Sequence, residues 1–141
     1  MVQLDEYASA ADIFSDYTYF SSFSDTWLAH AKKYVDWVSE FQELNENSLA
    51  VELASNDGYL LRNFVEREIP VLGIEPADTV ANAAMEKGIR TLIKFFGVNT
   101  AKEVKEEYGP ADVIIGNNVL AHVPDLNDFV GGQKVLLGEK G

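Results

Sequence analysis

The stretch that decides the fold is Leu-Ala-Val-Glu-Leu-Ala-Ser-Asn-Asp-Gly, residues 49–58. Its first half, Leu49 to Leu53, is a short apolar run interrupted by Glu52, which is typical of a buried strand. Its second half is a cluster of small and polar residues, which is typical of a turn. Apolar residues then recur at helical spacing, at Leu60, Leu61, Phe64 and Val65. The pattern predicts a strand, a tight loop and a helix whose first turn is capped by Asp57.

The same order of strand and helix is repeated towards the end of the chain. Further strands are predicted at Val71–Ile74, Thr91–Lys94 and Asp112–Gly116. Further helices are predicted from Asp78 to Gly88, from Thr100 to Gly109 and from Leu126 to Leu137. Thr100 and Glu103 resemble a capping box. Strands that alternate with helices imply parallel pairing and a sheet covered on both faces, so the predicted class is α/β.

The two ends of the sequence extend this prediction. Apolar residues from Asp25 onward recur at spacings of three and four, which predicts a long amphipathic helix ending near Asn45 to Asn47. The segment before it, residues 5–24, is expected to lie over the body of the domain. We therefore divide the chain into a cap segment with its helix, residues 1–47, and a Rossmann-like core, residues 48–141.

Residues 138–141 resemble a turn into a fifth strand that the sequence lacks, so we expect a sheet that is incomplete at its C-terminus. The strand at Asp112–Gly116 would then carry an unpaired apolar edge, which predicts self-association or low stability.

Composition narrows the classes of function. The chain has 141 residues, 47% of them hydrophobic, which suits one packed domain. It has no cysteine and only two histidines, so we expect no metal site. A net charge of -12 argues against nucleic acid and anionic membranes as partners. No apolar run is long enough to span a bilayer, and no signal peptide is recognisable, so we expect a soluble, cytoplasmic protein.

The carboxyl ends of the predicted strands are where an open parallel sheet binds its ligand. The first such end carries Glu52, Ala54, Ser55, Asn56, Asp57 and Gly58. A dinucleotide pyrophosphate requires a glycine-rich loop without carboxylates, whereas the sulfonium and amino group of S-adenosylmethionine (SAM) tolerate acids. This acidic loop therefore favours SAM, although a capped helix start in an ordinary α/β protein is an alternative explanation.

Two further strand ends carry polar side chains. Glu75, followed by Pro76, lies 17 residues after Gly58, near the spacing at which an acidic residue accepts hydrogen bonds from ribose hydroxyls. The fourth strand ends in Asn117 and Asn118, with His122 after a short apolar segment. His122 is a candidate general base or a wall of the substrate pocket, and a purely structural histidine is an equal alternative.

Four motifs together resemble the C-methyltransferases that act on nucleotide-linked deoxysugars. They are residues 17–24, residues 52–58, residues 73–76 and residues 117–125. The resemblance implies the Rossmann-like fold of the class I SAM-dependent methyltransferases, and methyl transfer to a carbon of a nucleotide-linked keto-sugar through an enolate.

The resemblance also implies roles for single residues. Residues 52–58 would hold the methionine part of SAM, and Glu75 would bind the ribose. Asn117 and Asn118 would border the methionine and adenine region, while His122 and Tyr17 would face the sugar.

The sequence departs from this family at both ends. Family members begin with a cysteine-rich zinc-binding region and continue beyond the position of Gly141, so we expect these residues to be inactive alone. The acceptor's diphosphate also lacks an obvious basic pocket here.

Three other functions remain open. The chain is compatible with a methyltransferase for another small molecule and with a nicotinamide-dependent oxidoreductase, although the latter lacks its glycines. It is also compatible with a non-catalytic nucleotide-binding module in which Tyr17, Tyr19 and Phe20 fill the pocket.

Overall fold

Four parallel strands form a sheet in the part of the chain that the structure describes. This structure is a computed structural model, and it describes residues 19–138 and 141. The strands are β1 (Ala50–Leu53), β2 (Val71–Ile74), β3 (Thr91–Leu92) and β4 (Val113–Ile115). Their order across the sheet is β3-β2-β1-β4, with every pair parallel. The predicted α/β class is therefore confirmed, and β1 lies where the order of the strands reverses.

Helices cover both faces of this sheet. They are α1 (Asp25–Phe41), α2 (Leu61–Val65), α3 (Asp78–Glu86), α4 (Val98–Tyr108) and α5 (Leu126–Leu136). Short 3-10 helices lie at Ser21–Phe23 and Leu120–His122. Side chains from α1, α2 and α3 form one apolar core, and side chains from α4 and α5 form the other.

The alternation of side chains along β1 decides which layer each residue joins. Ala50 belongs to the core under α1 and α2, whereas Val51 and Leu53 belong to the core under α4 and α5. Because successive strand residues face opposite sides of a sheet, Glu52 shares the face of Ala50. Its carboxylate therefore points into the layer of α1 and α2.

Helix α1 is shorter than predicted. It ends at Phe41, whereas the sequence predicted an end near Asn45 to Asn47. The backbone N–H of Leu44 donates to the carbonyl of Ser39 at 2.9 Å, and Glu43 between them has a φ of 53°. A residue in the left-handed region commonly closes a helix in this way, but glycine is its usual signal. Since Glu43 takes that position, the sequence gives no warning of the end.

The predicted capping role of Asp57 is wrong. Helix α2 begins after Leu60 without a side-chain cap. The Asp57 carboxylate is fully buried, accepts from the Lys87 ammonium at 2.8 Å and also bonds the Ser22 hydroxyl. A lysine distant in sequence thus determines the position of this carboxylate.

The predicted capping box of α4 is also wrong. The helix begins at Val98, two residues before Thr100, and its N-cap is Gly97. The backbone N–H of Val98 donates to the Asp128 carboxylate at 3.1 Å. The cap is therefore supplied by α5, across the contact between the two helices.

Strands β3 and β4 are shorter than their predicted ranges. Asp112 lies just outside β4, where its carboxylate accepts from the backbone N–H of Leu49 at 2.8 Å. β4 is an edge of the described sheet, and beside it Ala111 and Leu137 form an isolated parallel bridge. Self-association through this edge and the division at residues 47 and 48 both stay predictions.

The described residues contain no helix that is long and apolar enough to cross a membrane.

The loop after β1 has an unusual backbone. Ala54 and Asn56 have φ angles of 55° and 51°, and Gly58 has a φ of 75°. A Cβ atom at Gly58 would lie 2.3 Å from the terminal methyl of Ile89, and the positive φ would strain any side chain there. Asparagine tolerates the left-handed region, whereas alanine does not favour it. The fold therefore holds Ala54 in a strained conformation.

We predict that Ala54→Gly raises the free energy of unfolding by about 0.5–1 kcal/mol, because glycine adopts this φ without steric cost. The control is Ala81→Gly, a buried position inside α3, where glycine should lower the free energy of unfolding by about 1 kcal/mol. Urea denaturation of the variants measures both effects. Destabilisation by both substitutions would contradict the strain at Ala54.

Candidate functional site

A large cavity opens at the carboxyl ends of the strands, where an open parallel sheet is expected to bind its ligand. Its volume is about 780 Å³. The wall contains the last residue of β1, Leu53, and the last residue of β2, Ile74, together with Asn117 just after β4. The cavity therefore lies at the point where the strand order reverses.

Seven residues of the predicted site lie in this wall: Ala54, Asn56, Glu75, Pro76, Asn117, Asn118 and His122. Four others lie outside it: Glu52, Ser55, Asp57 and Gly58. Tyr17 lies outside the described residues. The structure thus brings three predicted strand ends together and separates the loop into residues that face the cavity and residues behind it.

Glu75 joins two strand ends. One of its carboxylate oxygens accepts from the backbone N–H of Asn56, and the other accepts from the backbone N–H of Ala77, both at 2.9 Å. Burial raises the pKa of this carboxyl group, and the two backbone hydrogen bonds oppose that effect. Each carboxylate oxygen has a second lone pair, so Glu75 can still accept from a ligand.

Three predicted loop residues support the site from behind. Ser55 is fully buried against β2, where its hydroxyl lies 2.5 Å from the Cβ that an alanine at Gly73 would carry. Asp57 bonds Lys87, and Gly58 makes room for Ile89. These residues fix the loop without forming the cavity wall.

Glu52 is a buried carboxyl group behind the cavity. It is fully buried, and neither carboxylate oxygen completes a hydrogen bond within the described residues. Burial raises its pKa well above the ordinary value, and the nearby carboxylates of Glu75 and Asp57 raise it further. The neighbouring Tyr59 hydroxyl lowers this pKa. Its effect is smaller than that of burial and larger than that of either carboxylate.

Tyr59 links Glu52 to the cavity wall. The Asn117 side-chain amide donates to the Tyr59 hydroxyl at 3.2 Å, and the Tyr59 ring packs against Trp27 with centroids 6.0 Å apart. Burial, followed by the Glu52 charge, raises the pKa of Tyr59, so its hydroxyl stays protonated. One end of the cavity is therefore aromatic, with polar atoms held in fixed positions.

Sequence reasoning missed several residues of the wall. Lys94, Phe95 and Phe96 follow β3, and the rule that ligands bind at strand ends would have found them. Trp27 belongs to the apolar pattern after Asp25, which predicts a core position in α1, but it also lines the cavity. Tyr59 follows the glycine of the loop directly, and nothing in the sequence distinguishes it from a core aromatic residue.

The charge of the wall favours a cationic ligand. Among the described residues that line the cavity, Glu75, Asp125 and Asp128 carry carboxylates, and Lys94 is the basic side chain. The Lys94 ammonium is itself paired with Glu103. Carboxylates in a concave site concentrate positive charge and repel anions.

No group of three or more histidine, cysteine, aspartate or glutamate side chains that could hold a metal ion occurs in the described part of the chain.

The sequence is similar to that of a known methyltransferase. No protein-family model matches the chain. C-methyltransferase NovU from Streptomyces niveus is 30% identical over 129 residues, which cover 92% of this chain and 31% of NovU. The chain thus spans about a third of the length of this curated relative.

Solved structures share the fold. The structure of DesVI from Streptomyces venezuelae superposes with a TM-score of 0.63 at 14% identity, over 86% of this chain and 50% of DesVI. Magnesium protoporphyrin IX methyltransferase (ChlM) from Synechocystis PCC 6803, solved with bound S-adenosylhomocysteine (SAH), superposes with a TM-score of 0.60 at 14% identity, over 78% of this chain and 51% of ChlM. The predicted Rossmann-like fold of the class I SAM-dependent methyltransferases is confirmed, as is the resemblance to a C-methyltransferase.

We predict that Glu52→Gln changes how stability depends on pH. Because the folded-state pKa of Glu52 is raised, its ionisation weakens folding as pH rises from the ordinary carboxyl range through that raised value. The variant has no carboxyl group to ionise at this position and does not lose stability in this way. The difference between its free energy of unfolding and that of the unsubstituted chain should therefore rise with pH. Urea denaturation between about pH 3 and pH 8 measures the difference.

Asp36→Asn is the control for this experiment. The Arg67 guanidinium lowers the pKa of Asp36, so the stabilisation by the ionised form is lost as pH falls. Its relative stability should therefore change with pH in the opposite direction. If the difference in free energy of unfolding between Glu52→Gln and the unsubstituted chain does not change with pH across this range, the pKa of Glu52 is not raised.

Proposed function

We propose that this chain, which has the fold of the SAM-dependent methyltransferases, is the cofactor-binding core of such an enzyme and binds SAM in the 780 Å³ cavity. The observation that carries the proposal is Glu75, a buried carboxylate at the end of β2 that is oriented by two backbone amides and faces the cavity. A carboxylate at this position of an open parallel sheet accepts hydrogen bonds from ribose hydroxyls.

Charge favours SAM over a dinucleotide. SAM carries a sulfonium and an ammonium group, whereas a nicotinamide dinucleotide carries a pyrophosphate. Three carboxylates in the wall attract the first ligand and repel the second. The loop after β1 also lacks the glycines that allow close approach to a pyrophosphate.

Known proteins of this fold support the same cofactor. ChlM structures contain SAM or SAH, and an enzyme from Thiobacillus denitrificans with this fold is described as a SAM-dependent methyltransferase in complex with SAH. Because these proteins are only 14–16% identical to this chain, they support the cofactor through similarity of fold alone. The similarity to NovU adds support from sequence for methyl transfer to carbon.

The residues of the wall divide by position. Ala54 and Asn56, after β1, would contact the methionine part, and Glu75 and Pro76 the ribose and adenine. Asn117 and Asn118 would border both parts. Glu52, Ser55, Asp57 and Gly58 act in this proposal by shaping the loop from behind.

We propose that the acceptor of the methyl group is a carbon beside the ketone of a nucleoside-diphosphate-linked deoxysugar. A base removes the proton from that carbon, and the enolate carbon forms a bond to the methyl group while the bond from methyl to sulfur breaks and its electrons pass to sulfur. His122, in the cavity wall, would face this acceptor, as would Tyr17. The acidic wall is unsuited to a diphosphate, so that group would lie outside the cavity.

A small acceptor other than a sugar nucleotide is the nearest alternative. In the non-catalytic alternative, Tyr17, Tyr19 and Phe20 fill the pocket. Tyr19 lines the wall of the 780 Å³ cavity and Phe20 is not among the lining residues, while Tyr17 lies outside the described residues. A cytoplasmic location stays part of the proposal, and the net charge of -12 argues against nucleic acid and anionic membranes as partners.

We predict that SAH binds the chain and that an analogue lacking one of the two ribose hydroxyls binds about 10- to 100-fold more weakly, because a lost charge-assisted hydrogen bond costs about 1.5–3 kcal/mol. Glu75→Gln should reduce this preference for SAH over the analogue, because the glutamine amide is uncharged and has one acceptor oxygen where the carboxylate has two. Isothermal titration of both ligands measures the effect.

The paired ligands are needed because Glu75 also holds the loop after β1, so weaker SAH binding alone would not identify a ribose contact. Glu66→Gln, an exposed change outside the wall, is the control and should keep the full preference. Absence of SAH binding, or binding of a nicotinamide dinucleotide in its place, would contradict the proposed cofactor.

For the acceptor, we predict that the complete natural protein methylates a nucleoside-diphosphate keto-deoxysugar in the presence of SAM. His122→Gln should lower the rate of methyl transfer about 100-fold or more, as is typical of acid-base groups, and leave SAH affinity within about twofold. Product analysis by NMR and mass spectrometry measures transfer. If the protein methylates other small molecules but no keto-sugar, the result would favour an acceptor other than a sugar nucleotide.

A further inference from the structure

Asn56 connects the proposed ribose carboxylate to the segment before α1. Its backbone N–H donates to Glu75 at 2.9 Å. Its side-chain oxygen accepts from the backbone N–H of Ser21 at 2.8 Å, and its side-chain amide donates to the carbonyl of Tyr19 at 2.9 Å. One buried residue thus holds Glu75 through its main chain and residues 19–22 through its side chain. We call residues 19–22 the N-terminal strap.

A second contact fixes the strap at the next loop residue. The Ser22 hydroxyl donates to the Asp57 carboxylate, which the Lys87 ammonium also binds at 2.8 Å. Asp57 is fully buried, whereas its contact with Ser22 is partly buried. The strap is therefore attached to two consecutive residues of the loop after β1.

The strap lies near the surface, and hydrogen bonds attach it to the loop. Tyr19 is 58% exposed, and none of the 3-10 helix residues Ser21–Phe23 is buried. Segments with few buried apolar contacts open at a lower free energy than the core of a domain. The strap can consequently separate from the loop while the sheet stays folded.

The strap also forms part of the cavity wall. Tyr19 and Ser21 line the cavity on the same loop side as Asn56. A ligand in the cavity gains these contacts when the strap is attached and loses them when it is detached. A ligand with this difference in contacts shifts the population towards the attached state.

We propose that the N-terminal strap closes over the cavity when a nucleoside ligand binds, and that Asn56 is the positioning residue that couples Glu75 to the strap. The inference rests on the proposed function, because the ligand is the SAM or SAH of that proposal. Coupling of this kind is reciprocal. Loss of strap attachment must therefore lower the affinity for the ligand by the same factor by which ligand binding raises the equilibrium constant for strap attachment.

Asn56→Gly is the variant that tests this coupling. Asn56 has a φ of 51°, which glycine adopts without strain, so the substitution removes the side-chain bonds and preserves the backbone. Asn63→Ala is the matched control: Asn63 is also buried, and its amide bonds only Tyr59 and Leu60 within its own helical turn. Ser22→Ala removes the second strap contact and serves as an independent variant.

The experiment is hydrogen exchange by mass spectrometry on the complete natural protein, with and without SAH, together with SAH affinity. In the unsubstituted protein, SAH should slow exchange in the strap about 10-fold. Asn56→Gly should speed strap exchange without ligand and weaken SAH about 10-fold, the effect of losing neutral hydrogen bonds. Ser22→Ala should change both quantities in the same direction, and Asn63→Ala should change neither.

The outcomes separate the two proposals. Failure of SAH to bind the unsubstituted protein would refute the proposed function and the ligand coupling together. Binding of SAH with unchanged strap exchange, or equal SAH affinity in Ser22→Ala and Asn63→Ala, would overturn the strap inference alone, because Ser22 lies outside the cavity wall.

Discussion

The hydrogen bonds from two backbone amides to the Glu75 carboxylate are the interaction on which the rest of the site depends. They join the loop after β1 to the end of β2 across the sheet. Without an acceptor at this point, the backbone N–H groups of Asn56 and Ala77 would be buried and unpaired, which is costly. The carboxylate therefore determines the loop shape before it binds any ligand, and the loop in turn holds the N-terminal strap.

Two buried glutamates show how strand geometry separates similar side chains. Glu52 lies inside β1 and shares the face of Ala50, so it points into the layer of α1 and α2. Glu75 comes just after β2, where the chain leaves the sheet, and it faces the cavity. Burial raises the pKa of both carboxyl groups, yet only Glu75 receives backbone hydrogen bonds that favour its charged form. Glu75 is thus suited to remain an acceptor, and Glu52 to carry a proton.

The aromatic end of the cavity depends on helix α1. Trp27 packs on Tyr59, and Asn117 bonds the Tyr59 hydroxyl, so this end combines residues from α1, the loop after β1 and the segment after β4. Their separation in sequence explains why no local motif marks them. A site assembled from several elements is rigid because each side chain is fixed by a neighbour from another element.

The sequence by itself determined the order of strands and helices, the parallel class of the sheet and the strand ends that carry polar residues, because hydrophobic periodicity and turn residues are local signals. It also singled out Glu75, Asn56 and Asn117, which the structure brings into one cavity wall. Tertiary structure alone decided the rest. Three features depend on a partner or a backbone conformation that the local sequence does not signal. They are the end of α1 at Phe41, which Glu43 closes, the cap of α4 by Asp128 and the pairing of Asp57 with Lys87. The physical reason is that periodicity specifies which face of an element is buried, whereas the partner of a polar side chain is set by which elements pack together.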